Sequence, residues 1–279
     1  MNLMRFLTAI SLWSSAFALD NQENMPPFQL PGIDGRIYDS TEFNKSELLV
    51  IVFLSNHCRT SQIFQHRIIR LATEYRNKGL AVVAISPNDP EAILPDELSH
   101  SELGDTLPEM ALRAKKLLYP FPYLYDGKTQ EVAKAYGVRV TPHAFLFDKK
   151  RKLRYSGRIG DPKNPEREDR AELRIAVNSL IHGIEPAVVR GLVFGNSIKW
   201  IKDRVIAQKT RERFARESVY LKNANIRTLQ FVRRNDSKLP KLIYVWSNKD
   251  KNNRQELLQL AAIHKIYRKR GLKLVTICV

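Results

Sequence analysis

Hydrophobic residues of this chain form two continuous runs that are separated by a stretch with helical spacing. Leu48 to Leu54 and Leu80 to Ile85 are almost uninterrupted apolar runs, which is typical of strands buried on both faces of a parallel sheet. Between them, apolar residues stand at positions 64, 68, 71, 72 and 75, the spacing of one helix face. Gly79 follows as a C-terminal cap. The pattern predicts a strand–helix–strand unit with parallel strands and a right-handed crossover.

The pattern continues with further helices and strands. Residues 87–108 contain four prolines and predict an irregular excursion. We expect helices over 110–118, 130–136 and 170–182, and strands over 120–126, 144–147 and 153–157, the last of them antiparallel to the one before it. The sequence therefore predicts an α/β fold with a central mixed sheet flanked by helices.

The strand–helix–strand pattern recurs 192 residues later. Tyr75 to Leu80 matches Tyr267 to Leu272 without a gap, and apolar runs over 242–246 and 274–277 match the first two strands. We therefore predict a second, partial βαβ unit. One crossover cannot bury both faces of its sheet, so we expect either a truncated domain or packing against the first domain or a partner.

Residues 1–18 have the pattern of a secretory signal peptide. One positive charge in residues 1–5 precedes a mostly apolar stretch over 6–17, and Ala16-Phe17-Ala18 is a small-x-small cleavage site. The stretch is too short to span a bilayer. An uncleaved anchor and a buried helix are the alternatives. We expect an exported protein that is periplasmic or extracellular.

The composition is that of a globular protein with a basic excess. The apolar fraction is 43%, and two cysteines do not make a disulfide scaffold. The formal net charge is +17, and residues 199–238 hold 12 Lys and Arg against 4 Asp and Glu. This stretch is either a solvated helical connector or a surface for an acidic partner or anionic lipid. No nucleic-acid-binding motif occurs in the sequence, so we expect no nucleic acid partner.

Cys58 is the candidate reactive residue. It stands between the end of a buried strand and the start of a helix, where unpaired N–H groups and the helix dipole favour a thiolate. His57 and Arg59 add positive potential. Because segment 55–61 is polar, we expect an accessible thiol, with a buried structural cysteine as the alternative. Cys278 ends an apolar strand, and we expect it in the core.

Two serines near Cys58 have spacings with chemical meaning. Ser61 stands where a CxxC pair would have its second thiol, so a partner thiol would have to resolve a mixed disulfide of Cys58. The Ser55-x-x-Cys58 spacing resembles the Thr/Ser-x-x-Cys arrangement of peroxidatic sites, in which a hydroxyl hydrogen-bonds the peroxide or the thiolate. A simple helix cap is the alternative for Ser55.

Thr141-Pro142 precedes a predicted strand, and an X-Pro bond there could be cis. Beside the thiol, the backbone of Thr141 would be offered to an extended substrate. His143 could tune the thiol, with a surface position as the alternative. The possible metal ligands are His57, Cys58, His66 and His143. The spacing from Cys58 to His66 fits no helical ligand pair, so we expect no metal and no other cofactor.

Six segments together resemble the alkyl hydroperoxide reductase/thiol-specific antioxidant (peroxiredoxin-like, redoxin) family, and more closely its exported thioredoxin-domain branch. They are FLSNHC (53–58), HRIIRLATEYRNKGLAVVAISPNDPE (66–91), FPYLYDGKTQEVAKAYGV (121–138), TPHAFLFD (141–148), LRYSGRIGD (153–161) and GNSIKW (195–200). The resemblance implies a thioredoxin-like fold with Cys58 at the reactive position and Pro142 at the cis-proline position. It also implies antioxidant or thiol–disulfide oxidoreductase activity outside the cytoplasm.

The chain departs from this family pattern at its thiol positions. Relatives commonly carry proline where Arg59 stands, and many carry cysteines at the positions of Val140 and Asn196. The second unit resembles the start of a thioredoxin domain with a WxxWCxxC site, but Asp250 and Asn253 replace its cysteines. Either one cysteine works with an external thiol, or catalysis has been lost and the fold kept.

These observations predict four segments. They are a signal peptide (1–18), a thioredoxin-like redox domain (27–200), a basic connector (201–216) and the truncated start of a second, cysteine-depleted thioredoxin-like domain (217–279). The first functional hypothesis is a thiol oxidoreductase or one-cysteine peroxidase built on Cys58. Its partners would be an external thiol reductant or thioredoxin-type protein, with a peroxide or protein disulfide as substrate. A redox-silent binding module and a metal chaperone are the other two hypotheses.

Overall fold

The structure of the protein is a computed structural model that describes residues 24–101, 103–167, 171–216, 223–247, 249 and 253–279. The predicted signal peptide (1–18), the predicted helix start at Arg170 and the position of Asp250 lie outside these residues.

The first part of the chain forms a hairpin and the predicted strand–helix–strand unit. Strands β1 (Gln29–Pro31) and β2 (Ile37–Asp39) pair antiparallel. Strand β3 (Leu48–Phe53), helix α1 (Arg59–Tyr75) and strand β4 (Leu80–Ser86) follow, with β3 and β4 parallel. Helix α1 begins at Arg59, five residues before the first position of the apolar spacing, because its first turn is polar.

The remaining predicted helices and strands follow in order, together with two short strands that were not predicted, at 140–141 and 196–197. They are α2 (Leu107–Leu117), β5 (Tyr123–Tyr125), α3 (Glu131–Ala135), β6 (Val140–Thr141), β7 (His143–Phe147), β8 (Leu153–Gly157), α4 (Glu172–Ile181) and β9 (Asn196–Ser197). The main sheet has the strand order β5-β4-β3-β7-β8, in which β5, β4 and β3 are parallel and β7 and β8 are antiparallel to their neighbours. This is the mixed sheet of a thioredoxin-like fold, as predicted.

The sheet is buried on both faces, which explains the continuous apolar runs. Alternate residues of β3 point to opposite sides. Val50 and Val52 pack with Phe64, Ile68 and other residues of α1. On the other face, a second cluster is built around Leu49, Ile51, Phe53, Tyr136, Phe145 and Phe147. The end of β3 therefore places Cys58 at the edge of a well-packed sheet.

The part of the basic stretch that directly follows this domain forms a helix that packs against it. Helix α5 (Arg204–Ala215) is held by an ion pair from Arg204 to buried Asp89. Arg211 on the same helix donates to the backbone carbonyls of Glu91 and Ile93 at 2.8 and 3.0 Å. Some of the positive charge of the stretch is therefore used within the protein.

The second unit repeats the geometry of the first. It consists of α6 (Ile226–Arg233), β10 (Lys241–Trp246), α7 (Asn253–Tyr267) and β11 (Lys273–Cys278). Strands β10 and β11 are parallel, with Leu242 opposite Leu274, as Val50 is opposite Val82 in the first unit. Gly79 and Gly271 each follow the helix and a short turn with φ near the left-handed value, 82° and 85°.

The expectation that Cys278 lies in the core is wrong. Its side chain is exposed, because β10 and β11 form a two-stranded sheet with many exposed residues. The unit touches the first domain through an ion pair of 2.9 Å between Lys269 and Asp96. Within the described part of the chain, no helix has the length and apolar character needed to cross a membrane.

Candidate functional site

The Cys58 thiol lies at the N-terminus of α1, where the sequence predicted it. Cys58 is the N-cap residue of the helix, and its Sγ accepts a hydrogen bond from the backbone N–H of Ser61 at 3.4 Å. The thiol donates to the backbone carbonyl of Thr141, with Sγ 2.9 Å from that oxygen. The side-chain oxygen of Asn196 is 3.6 Å from Sγ. Three distant segments of the chain thus meet at the sulfur.

The expectation of an accessible Cys58 is wrong, since its relative exposure is 0%. Apart from exposed Arg59, segment 55–61 is buried, and several of its polar groups bond to other parts of the protein. The Ser55 hydroxyl lies 3.0 Å from the Thr141 hydroxyl. The Asn56 amide side chain donates to the carbonyl of Gly104 at 2.7 Å. The polar composition of this segment was therefore a poor guide to its exposure, because polar groups that form hydrogen bonds can be buried with little loss of free energy.

The two serines near Cys58 have different roles. Ser55 is not a helix cap, because the N-cap is Cys58 itself. The Ser61 hydroxyl accepts from the backbone N–H of Ser55 at 3.3 Å, while its own backbone N–H points to the sulfur. Ser61 therefore stabilises the loop with its side chain and the sulfur with its backbone.

The Thr141-Pro142 peptide bond is cis and lies beside Cys58, as the sequence predicted. Thr141 is fully buried, and its backbone does not form an open edge for a substrate. Strand β6 instead pairs antiparallel with β9, with Thr141 opposite Asn196 and Val140 opposite Ser197. The chain itself occupies the position that we expected an extended substrate to take.

His143 is buried rather than on the surface. One ring nitrogen, Nε2, is 2.9 Å from the Ser156 hydroxyl, and the ring stacks on Phe145 with centroids 4.3 Å apart. Burial lowers the pKa of His143 to about 4, because the charged imidazolium would lose its hydration. The hydrogen bond of His143 goes to Ser156 and not to Cys58, which argues against direct tuning of the thiol.

Sequence reasoning missed Asp105, a buried carboxylate next to the cysteine loop. Its Oδ2 is 2.7 Å from Nδ1 of His57, and both side chains have 0% exposure. The same carboxylate accepts from the backbone N–H of Asn56 at 2.5 Å and from the side chain of Asn88 at 2.7 Å. Because the carboxylate also accepts from these two donors, we place the proton of His57 on Nδ1. No sequence signal linked residues 57 and 105, since they lie in separate loops.

Two other residues that were considered for the site have exposed side chains. Arg59 and His66 are exposed on α1. The carboxylate of Asp105 offsets the positive potential that His57 was expected to supply. Among the residues that the structure describes, no three His, Cys, Asp or Glu side chains are grouped so that they could hold a metal ion. Cys58 supplies a thiol near a helix N-terminus.

The geometry agrees with a comparison against known protein families. The model of the AhpC/TSA family matches residues 22–156, a range that includes both Cys58 and Pro142. The chain belongs to the AhpC/TSA family. Strand β9 and the second βαβ unit lie outside the matched residues. The matched range therefore contains Cys58 and Pro142 but not Asn196.

Several solved structures are similar to this chain over most of their own length. The hypothetical protein SMc02350 from Sinorhizobium meliloti is 33% identical over 66% of this chain and 96% of its own, with a TM-score of 0.57. An uncharacterized conserved protein from Geobacillus kaustophilus is 35% identical over 65% of this chain and 93% of its own, also with a TM-score of 0.57. Peroxidoxin BcpB from Mycobacterium tuberculosis is 18% identical over 50% of this chain and 84% of its own, with a TM-score of 0.40. No curated protein matches the chain significantly.

Proposed function

We propose that this AhpC/TSA family member is a thiol-dependent oxidoreductase whose reactive group is Cys58. The observation that carries the proposal is the position of Sγ at the N-cap of α1, where it accepts the Ser61 N–H and lies beside the cis Thr141-Pro142 bond. A helix N-terminus stabilises a thiolate, and the thiolate is the nucleophile in both peroxide and disulfide chemistry.

The reaction with a hydroperoxide proceeds through a sulfenic acid. The Cys58 thiolate attacks one peroxide oxygen, so that a sulfur–oxygen bond forms while the O–O bond breaks. The departing alkoxide takes up a proton and leaves as an alcohol, or as water when the oxidant is hydrogen peroxide. With a disulfide, the thiolate attacks one sulfur and the other leaves as a thiolate, which gives a mixed disulfide directly.

An external thiol must complete either reaction. The chain has two cysteines, and the residues around Sγ are Ser61, Thr141 and Asn196 rather than a second thiol. One external thiol condenses with the sulfenic acid, which releases water and forms a mixed disulfide. A second external thiol attacks that disulfide, leaves as part of the oxidised reductant and restores the Cys58 thiol. The reductant we propose is a small thiol.

The test compares turnover by the wild-type protein with two matched variants. Consumption of hydrogen peroxide and of a small disulfide is measured with a thiol reductant in excess. We expect Cys58→Ser to reduce both rates to those without protein. Cys278→Ser removes the other, exposed thiol and should leave them unchanged. Equal turnover by wild type and Cys58→Ser would refute the proposal.

A redox-silent binding module is the second candidate, and full burial of Cys58 favours it. In that case the basic stretch 199–238 would bind an acidic partner. The measurement is salt-dependent binding of a poly-glutamate probe to the wild type and Cys58→Ser. Absence of turnover together with salt-sensitive binding that survives Cys58→Ser would replace the first proposal with this one.

We also propose that the protein acts outside the cytoplasm. The support is the charge, apolar stretch and Ala16-Phe17-Ala18 site in residues 1–18. The measurement is the N-terminal sequence of the protein recovered from an exporting host. Cleavage after Ala18 is expected, and a mature chain that still begins at Met1 in the cytoplasm would contradict export.

A further inference from the structure

A short segment of the chain closes over the reactive thiol. We call residues 195–199 the strap. Its first half forms β9, which pairs with β6 so that Asn196 lies opposite Thr141. The side-chain oxygen of Asn196 is 3.6 Å from Sγ of Cys58. The strap thus touches both the thiol and the backbone next to the cis Thr141-Pro142 bond.

Gly195 allows the strap to approach this backbone closely. A Cβ atom added at Gly195 would lie 1.8 Å from the carbonyl oxygen of Thr141 and 2.6 Å from its carbon. Backbone atoms of a buried residue cannot move aside as a flexible side chain would. Any larger residue at position 195 therefore has to displace the strap from Thr141.

The second half of the strap is fixed firmly to the domain. Ile198 is 2% exposed, and its backbone N–H donates to the carbonyl of Arg139 at 3.0 Å. The backbone N–H of Lys199 donates to Asn88 at 2.9 Å, and its carbonyl accepts from the side chain of Gln130 at 2.7 Å. Asn196 is only half-buried and Ser197 is exposed. Local opening would therefore involve Gly195 and Asn196 while the anchor at Ile198 and Lys199 remains in place.

We propose that the strap restricts Cys58 to small oxidants, such as hydroperoxides, and excludes polypeptide disulfides. An extended polypeptide could pair with Thr141 only by removing Asn196 from the same edge. A small hydroperoxide needs only the thiol to become exposed, and it is reduced to an alcohol or water as Cys58 becomes a sulfenic acid. This substrate assignment rests on the proposed function, whereas exclusion by size does not.

The test measures how the reactivity of Cys58 depends on the size of the reagent. All proteins carry Cys278→Ser, because the exposed Cys278 thiol would otherwise react as well. Labelling rates are compared for N-ethylmaleimide and a polymer-linked maleimide. Oxidation rates are compared for hydrogen peroxide, a small disulfide and a protein disulfide. The test variants are Gly195→Ala, which displaces the strap, and Asn196→Ala, which removes the carboxamide near the thiol and keeps the glycine.

Gly191→Ala, four residues before the strap, is the matched glycine control. A Cβ at Gly191 would lie 3.3 Å from its nearest neighbour, the Tyr155 hydroxyl, and so should leave the strap in place. The size preference is the ratio of the rate with a small reagent to the rate with a large one. For the wild type and Gly191→Ala, we expect this ratio to be at least about ten-fold greater than it is for a free thiol. Gly195→Ala and Asn196→Ala should reduce this size preference.

Two outcomes would overturn the proposal. One is a size preference no greater than that of a free thiol in the wild type. The other is complete protection of folded Cys58 from both maleimides, because the strap would then exclude small molecules too. A size preference without peroxide turnover would refute the proposed function and the hydroperoxide assignment, but not the exclusion of polypeptides. Peroxide turnover without a size preference would refute the exclusion of polypeptides, but not the proposed function or the hydroperoxide assignment.

Discussion

The imidazole of His57, the residue before Cys58, is hydrogen-bonded to the carboxylate of Asp105 at 2.7 Å, and both side chains are fully buried. Asp105 also accepts from the backbone of Asn56 and the side chain of Asn88. The carboxylate therefore ties the cysteine loop to the loop that precedes α2. Its role is to position the loop, since its contacts are with His57 and Asn56 rather than with the sulfur.

Replacement of Asp105 should destabilise the protein strongly. Asp105→Ala leaves three buried donors without an acceptor, and we expect a loss of about 3–5 kcal/mol in the free energy of unfolding. Urea denaturation gives this value. Asp161→Asn, in a more exposed loop, should change it by less than about 0.5 kcal/mol. A loss below about 1 kcal/mol for Asp105→Ala would contradict the positioning role.

Asp105 and His57 should also be energetically coupled. His57→Ala removes one of the donors that Asp105 accepts, so the two single changes share an interaction. We expect the double variant to be less destabilised than the sum of the single variants by about 1–3 kcal/mol. Additive effects would mean that the hydrogen bond does not contribute to stability.

A cysteine at position 196 should form a disulfide with Cys58. The carboxamide oxygen of Asn196 is 3.6 Å from Sγ, so a thiol there lies within reach after a small adjustment. In a Cys278→Ser background, Asn196→Cys should lose both alkylatable thiols on mild oxidation, as measured by mass spectrometry. The disulfide would fix the strap over the thiol.

The neighbouring residue offers a control for this disulfide. Ser197 is exposed, and successive residues of a strand point to opposite sides. Ser197→Cys should therefore keep two alkylatable thiols under the same oxidation. Equal disulfide formation by both variants would show that the strap does not hold the observed register.

His143 should make stability depend on pH in the acidic range. Burial lowers its pKa from 6.5 to about 4, so the unfolded chain binds a proton that the folded protein does not. The free energy of unfolding should therefore be highest above pH 6.5 and fall as the pH decreases towards 4, by about 3 kcal/mol at most. His143→Gln should remove this slope, whereas His66→Gln on the exposed side of α1 should retain it. An unchanged slope in His143→Gln would contradict burial of the neutral ring.

Asp126 should have the opposite effect in nearly the same range. Burial raises its pKa from 3.8 to about 6, although the backbone N–H groups of Ala133 and Val132 partly oppose the shift. The folded protein then holds a proton that the unfolded chain releases, so stability falls as the pH rises from 3.8 to 6. Relative to wild type, Asp126→Asn should gain up to about 3 kcal/mol between these limits, as measured by urea denaturation at each pH. A stability difference that is independent of pH would contradict the shifted pKa.

The pattern of apolar residues along the sequence was sufficient to predict the main helices and strands of the fold. Strands β3 and β4 contain the continuous runs of the sequence because both faces of the sheet are covered. The repeat also located β10, α7 and β11, since local spacing and the glycine after each helix act within a few residues. The cysteine at the start of α1 followed from the same local rules.

The sequence by itself determined the order of elements, the position of Cys58 at a helix N-terminus and the likeness to the AhpC/TSA family. Only the tertiary structure decided that Cys58 is buried, that His57 bonds to Asp105 and that Asn196 covers the thiol. Spacing along a chain reports which residues share one helix or strand. Contacts between loops 48 or 138 residues apart depend instead on how those elements pack together.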